Sequence, residues 1–469
     1  MTSGMEPLRM LPEILMFLGG LVSLISGSFL PRRGQWITRV VAVLALIAAV
    51  AVSIAQLAGP DRSAFDGTVD VDTATGLVRI AAAVGALLVI AAATEEMAGS
   101  PRESEFYALL LFATTGTVVL GGAADLLVIA VAFLLASIPL YALIGMVRGP
   151  GGVEAALKTY LLGSLFGILL LLGITILSGL GSSSRYADLP SSLADAPAAG
   201  VAVGFIGVLA GLMFKAGGVP AHFWVPDAAQ GAGGAAATFL TTVPKIGALI
   251  AAYRLIGAMP HGTDWGLLVA ALATVSMTLG NLAAYWQNDP RRLLGWSTVS
   301  QAGFLLVPVA AAGRSDLALP SLLLYLGGYT VTNIAAFAVT MAFPDRRDLT
   351  SYRGLGRTHP VPAGALLVAL LGLVGTPPTV VFVGKLTTAT AAWDGGLRWL
   401  ALVVLGNSLI SLFYYLRWII QVFQFGRPSE EPAPVTAQAL TWPLRTAAAA
   451  AALSLILGLG AGVVLSALS

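Results

Sequence analysis

Apolar residues fill this chain in runs of about 20, separated by short stretches where Pro, Gly, Asp and Arg collect. A run of that length crosses the hydrocarbon core of a bilayer as a helix, so the pattern predicts about 14 transmembrane helices. Among them are runs near 10–30, 105–122, 124–147, 154–180, 197–217, 233–258, 360–391 and 439–467. The expected fold class is an all-α polytopic membrane protein. The first run has little basic charge before it and is followed by Pro31-Arg32-Arg33, a stop-transfer flank, so it reads as a retained helix and not a cleaved signal peptide.

Two of the runs are interrupted. FKAGGVPAHFW (214–224) places Gly217, Gly218 and Pro220 just after Lys215, and GTPPTVVFVGK (375–385) places Pro377 and Pro378 shortly before Lys385. Proline removes a backbone donor and clashes with the preceding turn, so the helix unwinds, which a bilayer tolerates only where protein or water satisfies the freed groups. The breaks are therefore expected to line a polar interior. Each falls in the fourth helix of a group of five, and because five is odd the second group is inverted relative to the first. Interrupted helices at matching places in two halves mark repeats that build a transport path near the membrane midplane. Proline kinks are common in membrane helices, but a lysine beside each break favours the repeat reading. The expected organisation is three N-terminal helices in 1–104, a first five-helix repeat in 105–258, an inverted second repeat in 259–425, and a loop with the last helix in 426–469.

Composition narrows the chemistry. Hydrophobic residues make up 57% and charged residues 10%, too little polar surface for a soluble domain. A net charge of +2 without a basic run argues against nucleic acid as a partner. With no cysteine there are no disulfides, iron–sulfur clusters or thiolate metal sites, and His222, His261 and His359 are too far apart for a persuasive metal site. If the runs alternate, Arg32, Arg33, Arg102, Arg148, Arg291, Arg292, Arg346, Arg347, Arg353, Arg357 and Arg427 share one side, against a thinner set such as Arg62, Arg185, Arg314 and Arg398. The rich side is then cytoplasmic and both termini face outward. The aspartate-bearing loop 59–74 and an irregular loop over 181–196 also lie outside.

Lysine is distributed differently. Only four of the 25 basic residues are lysines, and Lys158, Lys215, Lys245 and Lys385 each fall inside or at the mouth of an apolar run. Lysine can lose its proton when buried, whereas arginine effectively cannot. Arginine for topology and lysine for the membrane interior is a pattern suited to moving protons or other cations; lysines that snorkel or pair structurally are the bland alternative. Lys245 follows Pro244 in TFLTTVPKIGALIAAYR (238–254), and an ammonium at a helix centre costs roughly 2.5–3.5 kcal/mol on insertion scales unless something offsets it. Lys158 lies four residues after Glu154, so a local ion pair and a functional role both remain open.

At these motifs the chain resembles a known family. EFYALLLFATTGTVVLGGAADLL (105–127), EAALKTYLLGS (154–164), FKAGGVPAHFWVPDAAQGA (214–232), GNLAAYWQNDPRRLLGWSTVSQAGFLL (280–306), YLGGYTVTNIAAFAV (325–339), GTPPTVVFVGK (375–385) and NSLISLFYYLRWI (407–419) look like subunit N of respiratory complex I, one of the antiporter-like membrane-arm subunits related to Mrp-type antiporters. The resemblance runs in order over most of 105–420. It implies that Lys215 is the lysine of a first half-channel, Lys245 the connecting lysine on the axis, Lys385 the terminal residue of a second half-channel, Lys158 the lysine of the sixth helix, and His222 a relay beyond the break. It further implies that redox chemistry elsewhere drives proton movement, that this subunit binds no redox cofactor, and that its partners are other membrane-arm subunits and the lipid bilayer.

The chain departs from the family pattern at one telling place. A glutamate usually precedes the Ser-x-Pro-Leu-Tyr segment of the fifth helix and pairs with the lysine of the seventh; here FLLASIPLYAL (133–143) puts Leu134 at that position. Gln230 stands where an acid is common, and Gln301 where a histidine is frequent. Asp125, at the start of the same helix, is some 13 Å from Leu134 along the axis and too far to substitute. The expectation is an unpaired Lys215, which glutamate at position 134 would re-pair. Three functions follow: a proton-conducting subunit of a complex I-like quinone oxidoreductase, an Mrp-type cation/proton antiporter subunit, or a structural, non-pumping paralogue in a hydrogenase-type membrane complex.

Overall fold

The computed structural model describes residues 6–260, 263–424 and 439–468; Arg427 and His261 lie outside them. Nearly everything described is helix. The order begins α1 (Leu11–Phe29), α2 (Trp36–Leu57), a hairpin of β1 (Arg62–Ala64) and β2 (Val69–Val71), α3 (Thr73–Met97), α4 (Glu103–Gly122), α5 (Leu126–Ile144), α6 (Pro150–Gly181) and a single turn, α7 (Leu189–Ser192). It continues with α8 (Ala198–Ala216), α9 (Trp224–Gly231), α10 (Gly234–Gly257), α11 (Trp265–Ala284), α12 (Pro290–Ala310) and α13 (Ala318–Ala342). The last elements are α14 (Leu355–Thr358), α15 (Pro360–Val374), α16 (Val380–Asp394), α17 (Arg398–Phe423), α18 (Thr441–Leu459) and α19 (Ala461–Ser466).

Among the described residues 13 helices are long and apolar enough to cross a membrane. The run expected at 360–391 is two pieces, α15 and α16, with the break at 375–379. The run near 197–217 ends at Ala216 and resumes as α9. The loop at 59–74 is ordered by the antiparallel hairpin, Arg62 opposite Val71 and Ala64 opposite Val69. The stretch 181–196, expected to be irregular, contains the turn α7.

Burial grades from the centre outward. The apolar window of α10 is wholly buried within the chain, and those of α12 and α13 nearly so, while less than half of the windows of α1 and α2 is buried. With lipid as apolar as leucine, helices associate through close packing of small residues. At Gly247 of α10 a Cβ would lie 2.0 Å from the carbonyl oxygen of Thr117 on α4, so only glycine admits that backbone contact.

One polar contact ties the peripheral helices together. Arg79 of α3 is 1% exposed and holds Glu13 of α1 through Nε at 2.7 Å and Nη2 at 3.0 Å. Its remaining nitrogen reaches Gln56 Oε1 of α2 at 2.7 Å. Removing one partner of such a pair strands the other charge. Glu13→Ala should therefore destabilise by about 3–5 kcal/mol, read as a lowered thermal denaturation midpoint of the purified protein. Arg79→Leu added to it should recover part of the loss, and a double variant no better than the single would refute the stranded-charge account.

Candidate functional site

The two breaks have the same backbone. At the first, Gly217 takes φ 76°, its N–H donates to Phe214 O at 3.2 Å, and Gly218 N–H donates to Met213 O at 3.0 Å. At the second, Gly375 takes φ 92°, its N–H donates to Gly372 O at 2.8 Å, and Thr376 N–H donates to Leu371 O at 3.1 Å. This is a Schellman termination, with glycine in the left-handed position that a side chain resists. Three residues after each glycine stands a cis proline, Pro220 and Pro378. The turns close alike, Ala221 N–H on Gly218 O and Thr379 N–H on Thr376 O.

A Schellman end leaves the last carbonyls of the half-helix without intrahelical donors, and they carry the negative end of the helix dipole. Buried lysines meet them. Lys245 of α10 donates from Nζ to Ala216 O at 2.5 Å. Lys385 of α16 donates to Val374 O at 2.9 Å and Leu373 O at 3.0 Å, with Nζ also 3.9 Å from the centre of the Phe304 ring. Counting from the glycine, Ala216 and Val374 occupy the same place. The bonding thus groups Lys245 with Lys385, whereas sequence spacing grouped Lys215 with Lys385; Lys215 precedes its glycine by two residues and Lys385 follows its own by ten. Bare glycines make room for both amines. A Cβ at Gly217 would lie 2.8 Å from Lys245 Nζ, and one at Gly375 2.9 Å from Lys385 Cδ.

Lys215 stands apart. It is fully buried, its Nζ has no hydrogen-bond partner, and the Phe133 ring centre lies 5.5 Å away. The residue next to it, Ala216, carries the carbonyl that receives Lys245, so the two amines are neighbours and charge on one disfavours charge on the other. Leu134 is turned outward with 42% of its surface exposed. One helical position, about 100°, separates it from Phe133. The expectation that an acid at 134 would sit against Lys215 is therefore corrected: the side chain facing the amine belongs to Phe133. Asp125 caps α5, accepting from Leu127 N–H at 2.7 Å and Ser184 Oγ at 2.7 Å.

Lys158 is half-exposed and joins a surface ion-pair group: Glu154 at 2.6 Å and Asp227 at 2.8 Å, with Arg292 on Asp227 at 2.5 Å. Gln230 Oε1 accepts from Arg292 in the same group at 3.1 Å. His222 lies between the break and α9, buried beside Phe223 and Trp296, with neither ring nitrogen hydrogen-bonded. Among the described residues no His, Cys, Asp or Glu cluster could hold a metal.

Sequence reasoning missed the side chains between Lys245 and Lys385. Tyr329 donates to Thr241 O at 2.7 Å, one helical turn from Lys245, and bonds Thr298 Oγ1 at 3.1 Å. Asn333 Nδ2 reaches Tyr329 Oη at 3.2 Å. One turn along α12 from Thr298, Gln301 accepts from Tyr325 at 2.6 Å and donates to Leu373 O at 2.8 Å, the carbonyl that Lys385 also holds. Tyr325, Tyr329 and Asn333 recur every four residues on α13, a polar stripe on one helix face that could have been read from spacing. At the arginine-rich end an open cavity of about 770 Å³ reaches the start of α10, with Glu96, Arg148, Asp227 and Arg291 in its wall.

Broken helices around buried lysines, joined by a polar stripe in a many-helix membrane bundle, define an antiporter-like membrane subunit. Residues 123–411 match the family model of the NADH:quinone oxidoreductase/Mrp antiporter membrane region. The chain is 63% identical over 460 residues to NADH-quinone oxidoreductase subunit N of Mycobacterium sp. (strain JLS), covering 98% of each. A chain of respiratory complex I from Thermus thermophilus superposes with a TM-score of 0.80 at 31% identity, over 98% of this chain and 99% of that one. A chain of the Mrp complex from Dietzia sp. DQ12-45-1b shares the fold, with a TM-score of 0.85 at 22% identity over 98% and 96%. The chain therefore belongs to the NADH:quinone oxidoreductase/Mrp antiporter family and, within it, to the subunit N group of NADH-quinone oxidoreductases.

Alanine at Gly217 or Gly375 would strain the left-handed position and push the lysine off its carbonyl. Each substitution should cost about 1–2 kcal/mol. Gly364→Ala, at a helical position of α15 where a Cβ meets nothing within 4 Å, should be neutral or stabilising by up to about 1 kcal/mol. Thermal denaturation of the three variants checks this, and equal effects at all three would contradict the assigned role of the breaks.

Proposed function

We propose that this chain conducts protons through a buried axis running from Lys215 past Lys245 to Lys385, as a membrane-arm subunit of a quinone oxidoreductase whose redox chemistry sits in other subunits. The observation that carries the reading is the lysine on the last carbonyl of each broken half-helix. A carbonyl acceptor, one for Lys245 and two for Lys385, holds an ammonium yet does not neutralise it, so the site accommodates both protonation states of an amine better than a carboxylate ion pair would. Lys215 and Lys245 are close enough that a proton on one discourages a proton on the other. The tyrosine–threonine–glutamine stripe supplies hydroxyl and amide groups toward Lys385. Residues 105–258 and 259–425 are read as inverted repeats, supported by the matched breaks, and both termini as outward-facing, supported by the arginine distribution. Lys158 and His222 belong to this reading as peripheral proton-transfer residues, Lys158 through its ion pairs and His222 through its buried, unbonded ring.

A structural, non-pumping role is favoured by one observation, the absence of a polar partner on Lys215. The two readings separate in proteoliposomes of the intact complex. Lys215→Ala, Lys245→Ala and Lys385→Ala should each lower the proton-to-electron ratio while leaving assembly largely intact. Lys245→Arg keeps the charge but removes deprotonation and should lose as much as the alanine variant. An unchanged ratio in all of them would favour the structural role, and sodium-dependent transport without electron transfer would favour the antiporter one.

A further inference from the structure

Helix α10 is gripped at both ends, at one by the last turn of α3 and at the other by Asp70 of β2 and Asp72, the N-cap of α3. At the inner end the first N–H groups of α10 lack helical partners, and the N-cap residue Gly233 offers no side chain. Glu96, next to last in α3, supplies the missing acceptor: its Oε2 takes the Ala235 N–H at 2.9 Å. A Cβ at Gly233 would lie 2.6 Å from Glu96 Oε1, so bare backbone is what lets the carboxylate in. Glu95 does the same for α18, accepting from Trp442 N–H at 3.0 Å.

At the outer end Arg254, near the C-terminus of α10, reaches back to the start of α3. Its Nη2 lies 2.8 Å from Asp72 Oδ1 and its Nη1 2.9 Å from Asp70 Oδ2, while Nε donates to Gly121 O at 2.9 Å. Asp72 is also the N-cap of α3, accepting from Thr75 N–H at 2.8 Å. Desolvation is the largest single influence on that carboxyl and works against its charge, but Arg254 and the hydrogen bonds from Thr75 together hold Asp72 below the usual carboxylate range. The two grips are 19 residues apart on α10, about 28 Å, and Lys245 lies between them.

We propose that α3 is a strut that fixes α10 along its axis, Glu96 and Asp72 being positioning residues whose joint hold keeps Lys245 on the carbonyl of Ala216. Release of one end lets a helix shift along its axis against its mid-length contacts, so the loss of either anchor is felt beyond the turn it holds. A local cap or a local ion pair would have no such reach. The proposal rests on the conduction reading only for its consequence, since the strut holds whatever Lys245 does.

The test is amide hydrogen exchange on the intact complex. Asp70→Asn with Asp72→Asn removes both charges from the outer anchor yet preserves the α3 cap, because asparagine caps as well as aspartate. Exchange should rise at residues 235–241, the far end of α10, by roughly 2- to 30-fold, the range that loss of a cap produces. Glu96→Ala should raise it comparably, and Glu96→Gln, which keeps an acceptor oxygen, should remain near the parent. Arg254→Lys, a milder change, should show the same sign with smaller size. Faster exchange confined to 250–257 in the Asn pair, or a Gln variant as fast as the Ala variant, would overturn the strut. Transmitted exchange with an unchanged proton-to-electron ratio would uphold it and count instead against Lys245 as a conducting residue.

Discussion

A helix that stops inside a bilayer and an amine buried there pose complementary problems. The helix end leaves carbonyls without donors, and the amine has lost the water that would hold its charge. One contact answers both, made once by Lys245 on Ala216 and once by Lys385 on Val374 and Leu373. Much else in the centre of the molecule serves it. The left-handed glycines stop the helices and leave space for the lysine stems, and α10, α12 and α13 are buried deeply enough that no lipid reaches the polar atoms.

The surrounding polar groups are ordered by helix periodicity. On α13, Tyr325, Tyr329 and Asn333 face the same way, and Thr298 and Gln301 share a face of α12. Each bonds a backbone or side-chain partner on another helix, so the stripe positions helices as well as joining the two breaks. Buried polar chains of this kind are tolerated only when satisfied. Among the buried side-chain atoms without a partner, Lys215 Nζ and the two ring nitrogens of His222 stand on either side of the first break.

Much of this was legible beforehand. Length and apolarity of the runs predicted a many-helix membrane fold, and Gly-Gly-x-Pro and Gly-x-Pro-Pro predicted where two helices part. The spacing of three between Gly217 and Pro220 and between Gly375 and Pro378 stands in the sequence as well, but it acquires meaning only from the shared backbone of the two breaks. What spacing could not give was direction. Whether Phe133 or Leu134 meets Lys215 depends on how α5 is rotated against its neighbours, and that is set by packing at other positions, such as Gly116 against the backbone of Ala136. Likewise, which amine finds which carbonyl depends on the approach of α10 to a half-helix some thirty residues away in sequence. The role of Glu95 and Glu96 was hidden because their partners are main-chain N–H groups, which carry no mark in the sequence.

Main-chain acceptors for Lys245 and Lys385 have a genetic consequence as well. A carboxylate partner is one codon that mutation can erase or neutralise, and a shift of pH can fill it with a proton. Ala216 O and Val374 O are written into the chain by any residue that lets the helix end there. The receiving half of each contact is thus exempt from titration, and it depends on the glycine that ends the helix and not on the side chain of Ala216 or Val374. Variation among related chains will register the donor and the helix-ending glycine, so a search for paired carboxylates will find the lysines without one.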